Sequence, residues 1–211
     1  MTPTVETPPQ ADKRTRILQA SLELIASSGL HNTPMSAIAR KAGVAAGTLY
    51  LYFADKNDLI NALFLEQRKA SAAHIQAHVD PDAPLEDRLQ QCWMAMARRH
   101  IQHPEAFNFV QQCEASGILS ADILAEQSRI EAPLLRDFYA AIEQGIVKDL
   151  SRQMLYALMI GPITLLAHMQ TKGEIEVTDH MLQQTYSHIL DGIRPSTLLR
   201  HPFDIPSTGS G

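Results

Sequence analysis

Apolar residues recur every three or four positions along most of this 211-residue chain, the spacing that places side chains on one face of an α-helix. The first such stretch spans residues 12–28, where Ile17 and Leu24 share a face, and Gly29 is placed to end it. No segment alternates apolar and polar residues as a half-buried strand does, and no internal repeat occurs. The pattern therefore predicts an all-α fold.

Two short helices are predicted after the first one. Thr33 is expected to cap a helix over residues 34–42, because its hydroxyl can accept a hydrogen bond from a free N–H and Pro34 suits the first helical position. Gly43 ends this helix, and the next one runs over residues 46–53. Two short helices around a turn that contains glycine are typical of a helix-turn-helix.

The second short helix has two kinds of face. Leu49 and Phe53 are four positions apart and are expected to pack against the first helix. The other faces carry small, hydroxyl or aromatic side chains, which suit contact with base edges and phosphates in a DNA major groove. The alternative is a small helical hairpin whose tyrosines are packing residues.

Six longer helices are predicted beyond residue 55. One is capped by Ser120 and runs towards Val147 with a bend at Pro133. The others run from a cap at Asp55 to residue 79, over residues 85–100, 105–115 and 153–169, and from a cap at Thr178 or Asp179 to Gly192. The pattern thus indicates a larger helical domain after the helix-turn-helix.

Residues 153–169 are apolar on nearly every face. Gly161-Pro162 interrupts the segment, which falls short of the ~20 apolar residues that span a bilayer, so no membrane helix is expected. An apolar helix of this kind in a globular protein is buried on more than one side. One side is expected to face the chain's own core and the other a partner subunit.

The predicted organisation has four segments. They are a flexible arm at residues 1–11, a helix-turn-helix domain at 12–56, an effector-binding and dimerisation domain at 57–200, and a flexible tail at 201–211. Residues 1–56 contain six basic and four acidic residues, a net charge of +2, whereas the remainder carries −7. A positive end on an acidic protein suits the approach to an anionic polymer.

Composition and motifs exclude several function classes. Hydrophobic residues make up 45% of the chain and charged residues 19%, as in soluble globular proteins, and no run resembles a signal peptide, so a cytoplasmic protein is expected. Cys92 and Cys113 form no CxxC pair, which argues against a zinc site or a disulfide framework. No P-loop, GxSxG elbow or strand-linked GxGxxG occurs, so neither an enzyme nor a cofactor is predicted.

Two histidine pairs have spacings that metal ligands can use. His74 and His78 are four positions apart, and His100 and His103 are three apart. Neither pair has an accompanying cysteine or acidic residue in an obvious pattern, so no metal site is predicted.

The stretch TPMSAIARKAGVAAGTLYLYFADKNDL, residues 33–59, resembles the DNA-binding motif of the TetR family of bacterial transcription regulators. The family's recurring elements stand here in order, as Thr33, Ile38-Ala39, Ala42-Gly43-Val44, Gly47-Thr48-Leu49-Tyr50, Tyr52-Phe53, Lys56 and Leu59. The specific match covers about residues 13–64. Beyond it, the chain agrees in length, in helical pattern and in the closing ILDGIRP.

The resemblance implies a set of DNA contacts. The implied residues are Arg14, Thr33, Ala46, Gly47, Thr48, Tyr50, Leu51, Tyr52 and Lys56. Lys13 and Arg16 are alternatives to Arg14 for a backbone contact from the edge of the first helix. Ala45 stands where the family usually has a capping serine, which costs the helix about 0.5 to 2 kcal/mol of capping. Leu51 stands where a polar or aromatic residue is common, so its expected base contact is a thymine methyl.

The resemblance also implies a homodimer whose last two long helices pack as a four-helix bundle. The residues expected at this interface are Leu158, Ile163, Leu166, Leu182, Tyr186 and Ile189. Two-fold symmetry would present two recognition helices to a palindromic double-stranded operator.

Apolar side chains in the larger domain indicate a pocket for a small-molecule effector, since binding pockets are mostly apolar and methionine adapts to ligand shape. The expected lining residues are Trp93, Met96, His100, Phe107, Phe109, Phe138, Met154 and Met159. Each of these residues also suits an ordinary core. Arg98, Arg99 or His100 could pair with an acidic group of the ligand.

The main hypothesis is an all-α, homodimeric, ligand-responsive DNA-binding transcription regulator that acts as a repressor. The alternative is a helical ligand-binding module of the same fold that has lost DNA binding, which Ala45, Leu51 and the acidic overall charge favour. A membrane-surface protein is disfavoured because the basic residues of the fourth helix, Arg68 and Lys69, are adjacent rather than spread along one face.

Overall fold

The computed structural model describes residues 10–195, and these form nine α-helices without a strand. The helices are α1 Gln10–Ser28, α2 Met35–Ala42, α3 Ala46–Tyr52, α4 Lys56–Ala77, α5 Leu85–Gln102, α6 Pro104–Ser116, α7 Ala121–Glu143, α8 Arg152–Thr171 and α9 Asp179–Ile193. The predicted all-α fold is confirmed. The tail expected at 201–211 lies outside the described residues, as does the arm expected at 1–11 except for its last two positions, which begin α1.

Helices α2 and α3 form the predicted helix-turn-helix. Gly43 ends α2 with a φ of 66°, a left-handed conformation that favours glycine. The expectation that Thr33 caps α2 is wrong, since Pro34 occupies the cap position and no side chain caps it. The Thr33 side chain is only 2% exposed, and its hydroxyl donates to the Gly29 carbonyl at 3.0 Å. Thr33 therefore ties the loop to the end of α1.

One apolar core holds the helix-turn-helix to the rest of the molecule. Its fully buried side chains include Ile17, Ile25, Ile38, Leu49, Leu59, Ile60, Phe64, Phe109 and Cys113. These residues come from α1, α2, α3, α4 and α6. The three N-terminal helices thus rest on α4 and α6.

Helix α5 is central to the larger domain. The Trp93 side chain is 1% exposed, its indole N–H donates to the Met159 carbonyl of α8 at 2.8 Å, and its ring centroid lies 5.6 Å from that of Tyr186 on α9. A tryptophan that satisfies its N–H while burying its ring fixes the positions of neighbouring helices. Trp93 therefore holds α8 and α9 against α5.

Helix α7 ends earlier than the sequence pattern predicts, at Glu143 rather than near Val147. Gly145 turns the chain with a φ of 68°, and the buried Val147 then packs in a separate small core with Ile193. The apolar side chain that suggested a longer helix belongs to a loop that packs against α9.

Three predicted helix caps are confirmed. The side chains of Asp55, Ser120 and Thr178 each accept a hydrogen bond from the backbone N–H three positions on, at 2.9, 3.4 and 3.3 Å. Thr178, rather than Asp179, is the cap of α9. Each bond satisfies one of the N–H groups that a helix start leaves without an intrahelical partner.

Candidate DNA-binding surface and effector cavity

The back of α3 is fixed to the core. Leu49 is 0% exposed and Phe53 is 2% exposed, and both pack in the core that α4 and α6 complete. Ala45 occupies the cap position of α3 without a side-chain hydrogen bond. A helix of seven residues is marginal on its own, so its position depends on this packing.

The front of α3 faces away from the core. Tyr50 is 54% exposed and Leu51 is 85% exposed, a high value for leucine. Ala46 and Gly47 are also exposed, and Thr48 is half-buried. A Cβ atom added to Gly47 would meet no heavy atom within 4 Å, so the protein itself does not require glycine there. This surface combines small, hydroxyl and apolar groups, which are the groups that read base edges in a major groove.

Three further predicted DNA contacts, one at the end of α3 and two beside it, already have protein partners. Tyr52 is half-buried against the same core. The Lys56 ammonium donates to the His31 carbonyl at 3.2 Å, and partial burial lowers the pKa of Lys56. The Arg14 guanidinium lies 5.6 Å from the Phe53 ring centroid and 3.8 Å from a Glu66 carboxylate oxygen. The ties of Lys56 and Arg14 are at the surface, where such contacts are weak and exchange with phosphate at low cost.

Arg16 has a structural role that the sequence pattern did not reveal. Its guanidinium donates to the carbonyls of Ala42 and Gly43, the second of these at 3.4 Å. A cation at the carboxyl end of a helix satisfies free carbonyls and opposes the negative end of the helix dipole. Arg16 thus holds the turn of the motif to α1. The buried Thr33 hydroxyl likewise faces the protein, which corrects the expectation that this side chain contacts a phosphate.

Helices α4 to α8 enclose a cavity of about 400 Å³. It brings together six of the eight predicted pocket residues, namely Trp93, Met96, His100, Phe107, Phe138 and Met159. The other two predictions are wrong. Phe109 is fully buried in the helix-turn-helix core, because it lies on the opposite side of α6 from Phe107, and Met154 is 53% exposed on the outer face of α8.

The cavity contains polar groups that the sequence reading missed. Arg68 of α4 forms an ion pair with Glu131 of α7, and burial lowers the pKa of Arg68. Gln111 of α6 donates to the Tyr156 hydroxyl of α8 at 3.1 Å. These two contacts link the helices that form the wall. One sequence feature could have indicated Arg68. It stands seven positions before Ile75 on α4, so the two side chains share a face, and both line the cavity.

His100 is the histidine most deeply placed in the lining. Its Nδ1 lies 2.6 Å from the Met96 carbonyl, and its ring centroid is 4.4 Å from that of Phe107. A carbonyl only accepts, so Nδ1 carries the proton and donates. Burial lowers the pKa of His100 to about 4, which leaves the ring neutral at pH 7 with Nε2 as a hydrogen-bond acceptor.

The outer face of α8 is apolar and exposed. Met154, Leu158 and Leu165, at spacings of four and seven, are 53%, 39% and 60% exposed. Within the described residues, the segment Gln153–Thr171 is the one helix long and apolar enough to cross a membrane by length and composition, and 11% of it is buried. An exposed apolar face of this kind is typical of a surface that contacts another molecule.

The predicted dimer residues divide into three groups. Leu158 lies on the exposed face of α8, as an interface residue must. Leu166 and Ile189 are half-buried and pack against the core around Trp93. The predictions for Ile163, Leu182 and Tyr186 are wrong, because these side chains are 0%, 3% and 5% exposed within a single subunit. They fill the core between α5, α8 and α9, which the apolar pattern alone could not distinguish from an interface.

Both domains match known families. Residues 17–63 match the bacterial regulatory proteins of the tetR family, and residues 84–193 match the tetracyclin repressor-like C-terminal domain. The chain belongs to the TetR family of transcriptional regulators. The predicted helix-turn-helix and its partner, DNA, are confirmed at the level of the family.

Curated relatives match part of this regulator. The fatty acid metabolism regulator protein of Bacillus subtilis (strain 168) is 36% identical over 77 residues, which cover 36% of this chain and 40% of that protein. The HTH-type transcriptional regulator BetI of Escherichia coli (strain K12 / DH10B) is 35% identical over 83 residues, which cover 38% of this chain and 43% of that protein. The chain thus spans less than half the length of these curated relatives in the matched regions.

Solved structures of the family share the fold over nearly the whole molecule. A TetR family transcription regulator from Marinobacter aquaeolei VT8 has a TM-score of 0.82 at 24% identity, covering 87% of this chain and 96% of that one. A TetR-family transcriptional regulator from Haemophilus influenzae RD has a TM-score of 0.73 at 23% identity, covering 89% and 100%. The family is not enzymatic. In the part of this regulator that the structure describes, no three His, Cys, Asp or Glu side chains form a metal-binding group.

Proposed function

We propose that this regulator is a repressor that binds a palindromic operator as a homodimer and is released by a small molecule bound in the cavity. The observation that supports it most is the double role of α4 and α6. Ala106 and Val110 of α6 belong to the helix-turn-helix core and also line the cavity. On α4, Phe64 packs in that core, and Arg68 lines the cavity one turn later.

This arrangement gives the effector a direct route to α3. A ligand that fits one position of α4 and α6 better than another shifts the population of dimers towards that position. Because α3 is fixed to the same core through Leu49, its position changes with those helices. Operator affinity falls by the ligand's differential affinity for the two states.

The exposed apolar face of α8 supports the proposal of a homodimer. Met154, Leu158 and Leu165 form an apolar stripe that a second copy of α8 would cover around a two-fold axis. Such a dimer presents two α3 helices to successive major grooves, about 34 to 36 Å apart. A regulator of this kind acts in the cytoplasm, where it meets the chromosome.

In the proposed complex, the front of α3 reads the operator. Ala46, Gly47, Thr48 and Tyr50 face bases or backbone, and Leu51 contacts a thymine methyl. Phosphate contacts come from Tyr52 at the end of α3 and from Arg14 and Lys56 beside it. Gly47 allows the DNA backbone to approach closely, because nothing in the protein occupies the space of its missing Cβ.

Fluorescence anisotropy on the promoter DNA beside the protein's own gene tests this function. The purified protein should bind with sequence preference and with an affinity that falls as salt rises, because phosphate contacts release counterions. Tyr50→Ala and Lys56→Ala should each weaken binding about tenfold or more, the scale of one base or phosphate contact. Unchanged affinity in both variants would mean that α3 does not face the DNA.

Analytical ultracentrifugation provides the matched control. Tyr50→Ala and Lys56→Ala should sediment as the same dimer as the wild type, because neither residue is on α8. Leu165→Asp should sediment as a folded monomer and lose operator binding. Dimerisation would remove the water around a carboxylate at the centre of an apolar interface, and this desolvation costs more free energy than the interface gains. A Leu165→Asp dimer with full operator affinity would contradict the proposed interface.

The alternative function, a ligand-binding module without sequence-specific DNA binding, is favoured by two features of α3. Ala45 leaves the helix without a side-chain cap, and Leu51 places an apolar side chain where polar readers are common. A gel-shift competition distinguishes the two functions. Unrelated DNA should fail to displace the promoter fragment from a repressor, and should displace it fully from the alternative.

A further inference from the structure

The cationic side chains around the cavity differ in whether the protein already satisfies them. Arg98 points away from the cavity and forms a bidentate pair with Asp179, both bonds being 2.9 Å. Arg68 lines the cavity and is paired with Glu131. His100 is neutral and presents an acceptor. None of these three groups is a free cation for a ligand.

Arg99 is different. Its guanidinium lines the cavity and is half-buried, and it makes no hydrogen bond or ion pair with any residue of the range 10–195 that the structure describes. Glu105 acts on Arg99 through space, but the Glu105 carboxylate lies 3.6 Å from His103. Burial lowers the pKa of Arg99, which shows that the surroundings do not fully compensate its charge.

Histidine side chains lie near Arg99 and bring no compensating negative charge. His103 also lines the cavity. Burial lowers the pKa of His74, and the nearby His78, Arg99 and His103 lower it further. Arg99 is the permanently charged side chain of this group, since a guanidinium is not deprotonated in proteins. A partly desolvated guanidinium of this kind is stabilised by a carboxylate, which it can bind through two parallel hydrogen bonds.

We propose that the effector is an amphipathic organic acid, whose apolar body lies among Trp93, Met96, Phe107 and Phe138 and whose carboxylate pairs with Arg99. This inference rests on the proposed function, because it names the class of molecule that occupies the effector cavity. The neutral His100 is the next residue on α5, and its Nε2 acceptor repels a carboxylate, so it directs the acid group towards Arg99 and favours a ligand donor at its own position.

Isothermal titration calorimetry on the full chain tests the proposal with three probes that share one apolar body, namely decanoate, decanol and decylamine. Decanoate should bind about 10- to 100-fold more tightly than decanol, the factor that a hydrogen-bonded charge pair contributes. Decylamine should bind most weakly, because its ammonium meets a like charge.

Arg99→Met removes the cation but keeps the length and apolar character of the stem. In this variant, decanoate should bind no more tightly than decanol does, while decanol affinity stays the same. Arg98→Met is the matched control, because Arg98 is the arginine next to Arg99 and its side chain points away from the cavity. This variant should keep the full preference for decanoate. Melting curves identify any variant that fails to fold.

The ligand class and the repressor function fail separately. Equal affinity for decanoate and decanol, no binding of decanoate, or a preference for the acid that survives Arg99→Met would overturn the proposal about the acid. Operator anisotropy with and without decanoate is read independently. If decanoate binds in an Arg99-dependent way and the operator complex is unaffected, the acid site stands and effector release fails.

Discussion

The proposed DNA-binding surface and the proposed effector cavity of this regulator are built in opposite ways. The DNA-binding surface consists mainly of one helix, Ala46–Tyr52, whose back is packed and whose front is exposed. The cavity takes its lining from five helices, with residues from 67 to 160. The first site is therefore set by local spacing, and the second by how distant segments pack.

The two sites also differ in how tightly they are packed. Leu49, on the packed side of α3, has no exposed surface, so the exposed side of this helix has a rigid support. The cavity leaves about 400 Å³ open and is lined in part by Met96 and Met159, whose flexible side chains can adapt to a ligand. Truncation should consequently be costly behind α3 and far milder around the cavity.

The largest expected effect is that of Leu49→Ala. Removing a fully buried leucine side chain should lower the free energy of unfolding by about 2 to 5 kcal/mol, because it loses apolar burial and leaves a cavity. Urea denaturation followed by circular dichroism measures this change. Operator binding should be lost under conditions where the wild type is fully bound.

Leu51→Ala is the matched control, since it makes the same substitution two positions later on the exposed face. Its stability should stay within about 0.5 kcal/mol of the wild type, while operator affinity falls severalfold with the lost methyl contact. Similar stability losses in both variants would show that α3 does not have one buried and one exposed side.

The sequence predicts the α3 region well because its determinants are close together in the chain. The spacing of Leu49 and Phe53, and the left-handed conformation at Gly43, concern positions within a few residues of each other. The errors there involve hydrogen bonds from side chains to backbone carbonyls. Thr33 bonds to the Gly29 carbonyl rather than capping α2, and Arg16 reaches the Ala42 carbonyl 26 positions away. Helical periodicity carries no information about such ties.

In the larger domain, the pattern identifies apolar residues but not what they face. Phe107 and Phe109 are both apolar and lie two positions apart, yet one lines the cavity and the other fills the helix-turn-helix core. Likewise, Ile163 and Leu165 on α8 are 0% and 60% exposed. Which side of a helix faces core, cavity or partner depends on the placement of neighbouring helices, and that placement is set by contacts far apart in the chain.

The next effect concerns pH and is confined to the cavity. The pKa of His100 is lowered to about 4 in the folded protein, whereas an unperturbed histidine has a pKa of about 6.5. Between these values the unfolded chain binds a proton that the folded chain does not. Protonation of His100 therefore costs no stability above pH 6.5, and the free energy of unfolding falls as the pH drops towards 4, by about 3 kcal/mol in total.

His100→Gln isolates this contribution, because glutamine does not titrate. Urea denaturation at a series of pH values from 4 to 7 should show a smaller loss of stability in the variant than in the wild type. Buffers of constant ionic strength keep the screening of charges the same at every pH, so the other carboxylates of the chain affect the wild type and the variant equally. Parallel curves for the two proteins would show that His100 is solvated and that the cavity is not closed around it.

The smallest expected effects come from two glycines of the helix-turn-helix, Gly43 at the turn and Gly47 in α3. Gly43→Ala should lower the free energy of unfolding by more than about 1 kcal/mol, because alanine is strained at a φ of 66° and its Cβ would lie 2.8 Å from the Arg16 guanidinium.

Gly47→Ala should instead raise the free energy of unfolding by about 0.5 to 1 kcal/mol, since the site is helical and its space is open. Both substitutions should weaken operator binding in an anisotropy titration, the first because the turn is displaced and the second because the added methyl group keeps the DNA backbone at a distance. A Gly47→Ala protein that is more stable and binds the operator as tightly as the wild type would show that the duplex does not approach α3 at this residue, and the reading surface would then have to lie nearer Tyr50 and Leu51.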